Sequence, residues 1–270
     1  VYLKKFLTKG RYVKLKEILV SERTLPEAYH DALLFLHELG KPTPCSDYNT
    51  NQIELSMTMV VEEPLAEPMI SKLFIGGFKE LEQYRQEILD GILDFEIEQG
   101  NWKYTYHDRM TNWCIGINQI DFVIRELKRN PDSRRAVICI RTPDDVDSPD
   151  CACLQHIHYF IRENKLHSKV LFRSNDACKA AFMNSFGLIM LQKKIADTLN
   201  VEMGSYTHRA NSFHCYEKDI PLLTGYVNRI VSEDIANITY NYVGEWDELM
   251  EEVKVDIAKM VQQQKEKYNQ

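Results

Sequence analysis

The sequence has no long apolar run, no linker and no excess of basic charge, and each absence removes a class of protein. No stretch approaches the roughly 20 consecutive apolar residues that cross a bilayer, so no membrane segment is expected. No Pro/Gly/Ser-rich segment interrupts the middle of the 270 residues, which argues for one large domain over two small ones. No internal repeat is visible, and no low-complexity tract apart from the polar end QQQKEKYNQ. The formal net charge is −7 and the pI about 5.7, which argues against a general nucleic-acid binder. Any phosphate-binding cations must form a local site. Seven cysteines form an odd, scattered set with no signal-like apolar run before them. A reduced, cytoplasmic protein is therefore expected rather than a disulfide scaffold.

What is present suffices for a packed core, since 44% of the residues are apolar and 27% charged. The segment ERTLPEAYHDALLFLHELG carries apolar residues at helical spacing and stops at Gly40, so it reads as a packing helix. Residues 1–45 as a whole read as an N-terminal helical extension. KPTPCSDYNTN reads as a loop and ELSMTMVV as a strand, closed by the two prolines of PLAEPMI. Over 77–92, Phe78, Leu81, Tyr84, Ile88 and Leu89 form one apolar helical stripe, with Glu80 and Glu87 beside it. GNWKYTYHDRMTNW reads as a loop or edge segment, and INQIDFVIRELKRN as an amphipathic helix. NPDSRRAVICIRT turns into a strand. Residues 244–270 read as a helix with a polar tail. The pattern gives an α+β domain with several strands and four or five helices.

The stretch Asp150–Asn184 holds the chemistry. Cys153–Ile161 and Lys169–Phe172 have strand composition, ENK between them is turn material, and a long helix follows. That pairing puts Cys153 and Arg173 at neighbouring ends of adjacent strands. A thiol attacks only as thiolate, and a nearby guanidinium lowers its pKa toward working pH, so Cys153 is the candidate nucleophile. Cys151, Cys153, His156 and His158 invite a zinc reading. Strand alternation opposes it by sending the cysteines and the histidines to opposite faces, and no metal is expected. His214 and Tyr216 lie two apart, so a strand would turn both toward one hydroxyl.

The segments NPDSRR, CLQ, RSND, KAAFMN and FHCY, in this order and at these separations, resemble thymidylate synthase and the related pyrimidine-nucleotide hydroxymethylases. KAAFMN followed by LQ is most similar to the archaeal-type thymidylate synthases. YFIR before the turn and RSND after it also resemble phage deoxycytidylate hydroxymethylase. The resemblance covers the chain from Glu54 to Leu223. It implies an α/β fold with a large twisted mixed sheet flanked by helices, and a homodimer through sheet faces with shared active sites.

The resemblance also assigns roles. CLQ selects Cys153 for covalent attack on a pyrimidine nucleoside monophosphate. KELEQY implies that Glu80 orders water beside the pyrimidine, although a helix glutamate is commonly just solvated. YHDRM implies that Tyr106 lines the site, the alternative being a tyrosine satisfied by backbone. Arg134 and Arg135 match the pair that reaches the phosphate of the partner's nucleotide, with Arg173 and Ser174 as further phosphate contacts. Asp176 matches the aspartate that hydrogen-bonds the pterin, and could also cap the following helix. Asn184 matches the base-reading asparagine, whose donor and acceptor fit O4 and N3–H of uracil. His214 and Tyr216 match the pair on the ribose 3′-oxygen.

The carbon donor implied is 5,10-methylenetetrahydrofolate or a related reduced pterin. Thiolate addition at C6 makes C5 of the ring nucleophilic toward the one-carbon unit. Hydride from the pterin then leaves methyl, whereas water leaves hydroxymethyl. Methylation of dUMP to dTMP is the expected reaction, with hydroxymethylation of dUMP, dCMP or CMP as the alternative and a non-catalytic nucleotide-binding protein as the third. Four departures bear on that choice: a helical, polar C-terminal segment, Trp102 and Trp113 without a match, no assignable cation around Tyr48–Thr50, and Leu154 where the family has histidine.

Overall fold

The computed structural model describes residues 16–268. Seven strands form one mixed sheet: β1 (Glu17–Glu22), β2 (Lys41–Cys45), β3 (Thr50–Val61) and, after the short β4 (Ile70–Ser71), β5 (Val137–Cys139), β6 (Leu154–Arg162), β7 (Lys165–Asp176) and β8 (Glu202–Tyr216). Their lateral order is β1-β3-β8-β7-β6-β5, with β2 sharing the outer edge of β3 with β1. β4 pairs with β9 (Thr239–Tyr240) in a separate ribbon. The helices are α1 (Leu25–Leu39), α2 (Phe78–Asp90), α3 (Phe95–Glu98), α4 (Tyr106–Thr111), α5 (Trp113–Gly116), α6 (Gln119–Arg129), α7 (Ala181–Leu199), α8 (Ile220–Ser232) and α9 (Asp247–Lys267).

Period-two patterning gives the sheet one inner face. β7 buries Leu166, Ser168, Val170 and Phe172, while Lys165, His167, Lys169 and Leu171 between them stay exposed or half-buried. β8 repeats this with Tyr206, His208 and Ala210. α7 lies across β7 and β8 and is buried on nearly all sides, as its apolar run demands. α1 covers β1 and β3, and α2 packs on α7.

The β6–β7 hairpin sets the register of the site. Glu163 and Asn164 both have left-handed backbone (φ 52° and 58°), the requirement of a two-residue hairpin turn that matches strand twist. Pairing runs from Arg162↔Lys165 down to Leu154↔Phe172, with one bulge between Leu154 and His156. Cys153 thereby meets Arg173.

Several elements differ from the sequence reading. KPTPC is not a loop but β2. Among the described residues it pairs only with β3, and the alternate spacing of Pro42 and Pro44 puts both missing N–H groups on the side away from β3. Residues 17–45 are not a helical extension either, because β1 joins the main sheet and α1 sits in the core, its Thr24–Glu27 capping box and Pro26 fixing the start. The basic stretch at residues 1–15 lies outside the described residues. YHDRM forms α4, capped by the Thr105 hydroxyl on the Asp108 N–H at 2.9 Å. The polar tail continues α9 to Lys267, where Ile257 and Val261 pack with Leu93 and the Tyr268 ring meets Phe95. Among the described residues six helices exceed ten residues rather than four or five. α8 escapes the pattern because Pro221 and Gly225 mask it.

Candidate active site

Cys153 stands just before β6, half-buried against the core. Its carbonyl accepts the Arg173 N–H at 2.8 Å, and the Arg173 side chain grips the same turn, Nε donating to the Ala152 carbonyl at 3.1 Å and Nη2 to that of Cys151 at 2.8 Å. The expected proximity is present, but the expected pKa is not. Burial pushes the Cys153 thiol above its ordinary value, Arg173 pulls it down more weakly, and Cys151 and Asp150 add to the rise. Desolvation of the anion outweighs one partly solvated cation.

Tyr106 comes from the first turn of α4, and its hydroxyl accepts the Leu154 N–H at 3.3 Å, next to the thiol. Burial, then the charge of Cys153, raises its pKa far above the phenol range, so it stays protonated. Tyr104 is raised the same way. Both residues line a cavity of about 260 Å³, together with Tyr84 and Glu87 of α2, Trp102 and Asp150. Trp102, unmatched in sequence, is thus at the cavity, whereas Trp113 is not among its walls and buries its indole N–H without a partner among the described residues.

Glu80 is not brought to this site. It is exposed and accepts the Gly77 N–H at 2.8 Å, completing the start of α2. Glu82 is buried and held by Arg85 at 2.7 Å. Glu87, two turns beyond Glu80, is a half-buried carboxylate that lines the cavity, as is Asp94, which the Thr105 hydroxyl and His107 Nδ1 hold. Burial raises the pKa of Glu87, the Gln83 amide at 2.8 Å opposing. The sequence held the signal: a glutamate three residues after an N-terminal Gly77 is placed to cap the helix, which leaves Glu87 free.

Asn184 is buried on the first turns of α7, and its Oδ1 accepts from the Tyr84 hydroxyl. Ser174, on β7, lies 3.3 Å from Nδ1 of His214 on β8. That nitrogen also faces the Ser212 carbonyl at 3.3 Å, which can only accept, so Nδ1 carries the proton. Burial lowers the pKa of His214 and keeps it neutral, and its Nε2 is buried with no partner among the described residues. The His214 and Tyr216 rings meet edge-on at 4.8 Å, confirming the shared face, and Tyr48 packs on Tyr216 from the β2–β3 turn.

Asp176 does not cap α7, which begins later, at Ala181. Its Oδ1 accepts the N–H groups of Cys178 and Lys179, both at 3.0 Å, and so ties the turn that leads into the helix. Arg134 and Arg135 are exposed beside β5, with no ion pair among the described residues. The Tyr159 N–H bonds the Ala136 carbonyl, so these arginines lie six strand positions from Cys153, roughly 20 Å. They do not reach the thiol of their own chain. Among the described residues no group of three or more His, Cys, Asp or Glu side chains converges as a metal site, and no helix is long and apolar enough to cross a membrane.

The profile of the thymidylate synthase family matches residues 75–266, a span containing every one of the site residues expected from sequence. The chain belongs to the thymidylate synthase family. It is accordingly an enzyme of the methyltransferase class. A relative from Methanosarcina barkeri, provisionally named a thymidylate synthase, is 29% identical over 217 residues, covering 78% of this chain and 95% of the relative. One from Methanocaldococcus jannaschii with the same provisional name is 37% identical over 160 residues, 56% of this chain and 69% of the relative. The thymidylate synthase of Bacillus phage phi3T is 32% identical over 105 residues, 38% of each chain. In structure, the thermostable thymidylate synthase A of Bacillus subtilis superposes with a TM-score of 0.60 at 18% identity, covering 76% of this chain and 84% of that one, a likeness of thymidylate synthase fold.

Proposed function

We propose that the protein methylates dUMP to dTMP, with a reduced folate, methylenetetrahydrofolate or a related pterin, as carbon donor and Cys153 as nucleophile. One observation carries the reading. Tyr106, whose hydroxyl accepts the Leu154 N–H next to Cys153, lines a cavity together with Tyr104, Glu87 and Tyr84, and Tyr84 holds Asn184.

Each residue then has a task. The Cys153 thiolate adds to C6 of the pyrimidine, which turns C5 into a carbon nucleophile. Asn184 donates to the O4 on which charge develops and accepts from N3–H. Glu87, its pKa lifted by burial toward the working range, moves protons in the role first expected of Glu80. Tyr106 positions the Cys153–Leu154 backbone and supplies a phenol at the ring. The unpartnered His214 Nε2 is an acceptor for the ribose 3′-hydroxyl, with Tyr216 beside it. Arg173 and Ser174 serve the phosphate, together with Arg134 and Arg135 of a second copy. The wide separation of these two from Cys153 in one chain supports a shared site in a homodimer across the uncovered sheet face.

The cavity fits a flat, partly polar ligand: Trp102 and Tyr104 offer ring faces, and Lys103, Asp150 and Glu87 offer polar contacts. The folate supplies the one-carbon unit and, for methylation, hydride. Asp176 keeps one carboxylate oxygen free of the contacts that tie its turn, which suits a hydrogen bond to a pterin.

Hydroxymethylation is a second reading, favoured by α9. Its residues pack as a polar helix on Leu93 and Phe95, one of the departures from the family pattern noted in the sequence. Incubation with dUMP and methylenetetrahydrofolate separates the two. Thymidylate and dihydrofolate are expected. Hydroxymethyl-dUMP and tetrahydrofolate would establish the second reading, and reaction of dCMP or CMP alone would overturn the base assignment.

A further inference from the structure

An asparagine amide can read two opposite hydrogen-bonding edges, depending on which way it is turned. Asn184 alone therefore does not select a base, and something must hold it. Tyr84 is the neighbour in place to do so. Its hydroxyl donates to Asn184 Oδ1, and its ring lies against Gly187, one turn further along α7. A Cβ at 187 would stand 3.2 Å from Tyr84 Cε1 and 3.3 Å from Cδ1. The missing side chain at 187 thus sets how closely the phenol approaches α7, and so which group its hydroxyl meets. Tyr84 also lines the cavity. Burial raises its pKa well above 10.0, so the hydroxyl keeps its proton at every working pH.

We propose that Tyr84 is the positioning residue that fixes the Asn184 amide and, through it, selects uracil over cytosine. The inference rests on the pyrimidine-nucleotide reading of the site. With the phenol proton on Oδ1, that oxygen retains one lone pair and Nδ2 keeps two protons. These match N3–H and O4 of uracil. Cytosine offers an unprotonated N3 and an amino group, and needs the amide turned over. Turning it sets Nδ2 against the Tyr84 oxygen and leaves the phenol proton with no other protein acceptor among the described residues. A buried donor without a partner is penalised, so cytosine is disfavoured even before its own contacts are counted.

Y84F removes the donor and keeps the ring beside Gly187. Calorimetric binding of dUMP and of dCMP to the full chain reads the effect without turnover. The wild-type protein is expected to favour dUMP, and in Y84F the ratio of the two dissociation constants is expected to shrink by about tenfold or more. An unchanged ratio, including equal weakening of both nucleotides, overturns the role of Tyr84. A wild-type protein that binds neither nucleotide, or favours dCMP, overturns the underlying reading of the site instead. If melting shows Y84F unfolded, G187A keeps the hydroxyl but pushes the ring off α7. The ratio is again expected to shrink, and its persistence contradicts the proposal.

Discussion

Arg173 holds Cys153 by backbone and side chain together, its N–H on the Cys153 carbonyl and its guanidinium on the carbonyls of Cys151 and Ala152. The arginine is thus a clamp on the turn that carries Cys153 as well as a charge beside the sulfur. A lysine, with one compact cation on a flexible stem, cannot span two successive carbonyls. Arg173→Lys is expected to cost about 1–3 kcal/mol of stability, the worth of charge-assisted hydrogen bonds, and to lower kcat. Denaturant unfolding alongside turnover checks it. Wild-type stability with lost activity would mean that the clamp is unimportant and only the ligand contacts count.

The reactivity of the free thiol follows from the same pair. Burial places the Cys153 pKa above the ordinary thiol value, and Arg173 restrains the rise. The rate of Cys153 alkylation by iodoacetamide is expected to climb with pH to a midpoint above the ordinary thiol range. Arg173→Gln is expected to move it higher still. A midpoint below that range would show the guanidinium winning over desolvation.

Glu87 and Glu80 make opposite forecasts from one helix. Glu87→Gln is expected to lower kcat by about 10²–10⁴-fold, the usual worth of a general acid–base group. Glu80→Gln is expected to leave kcat near wild type and to cost up to about 1 kcal/mol through the weakened helix start. Steady-state kinetics on both variants decides, and the reverse pattern would return the role to Glu80.

This pair also shows what the sequence made legible. Sequence spacing pairs Cys153 with Arg173 and His214 with Tyr216 because the β6–β7 hairpin register and the alternation along β8 are local properties. The choice between two glutamates on α2 was not local. It depended on which one the N–H of Gly77 consumes and which one the fold turns toward Tyr104 and Tyr106. The net sign of the Cys153 shift was hidden for a similar reason, since spacing shows a neighbouring charge but not the burial that opposes it. β2 is not legible in KPTPC because two prolines argue against a strand unless one edge stays unpaired, and that depends on its neighbours in the sheet.

Acid sensitivity is built into two core histidines. Burial depresses His208 to about 3 and His30 to about 4, from an ordinary 6.5. A depressed folded pKa means that the unfolded chain takes up protons first as pH falls. The stabilisation from keeping these rings neutral is therefore complete above pH 6.5 and lost as pH drops toward 4 and then 3. The melting temperature is expected to fall steadily over that window. His208→Gln should flatten the decline, and an identical profile in that variant would remove His208 from the explanation.

Subunit complementation addresses Arg134 and Arg135. Cys153→Ser and the double variant Arg134→Ala/Arg135→Ala are each expected to lose most activity. Mixed and reassociated, they should recover a fraction of it, because one of the two sites in a hybrid dimer then combines an intact thiol with intact arginines from its partner. Absence of any recovery in verified hybrids would place the arginines outside a shared site.

The most direct measurement is release of tritium to water from dUMP labelled at C5, in the presence of methylenetetrahydrofolate, by the wild-type protein and by Cys153→Ser. Substitution at C5 requires that hydrogen to leave, and it leaves only after the ring is activated at C6. The wild-type protein is expected to release tritium, and the variant to bind dUMP with similar affinity while releasing none. Release by Cys153→Ser at the wild-type rate would contradict covalent activation by this thiol.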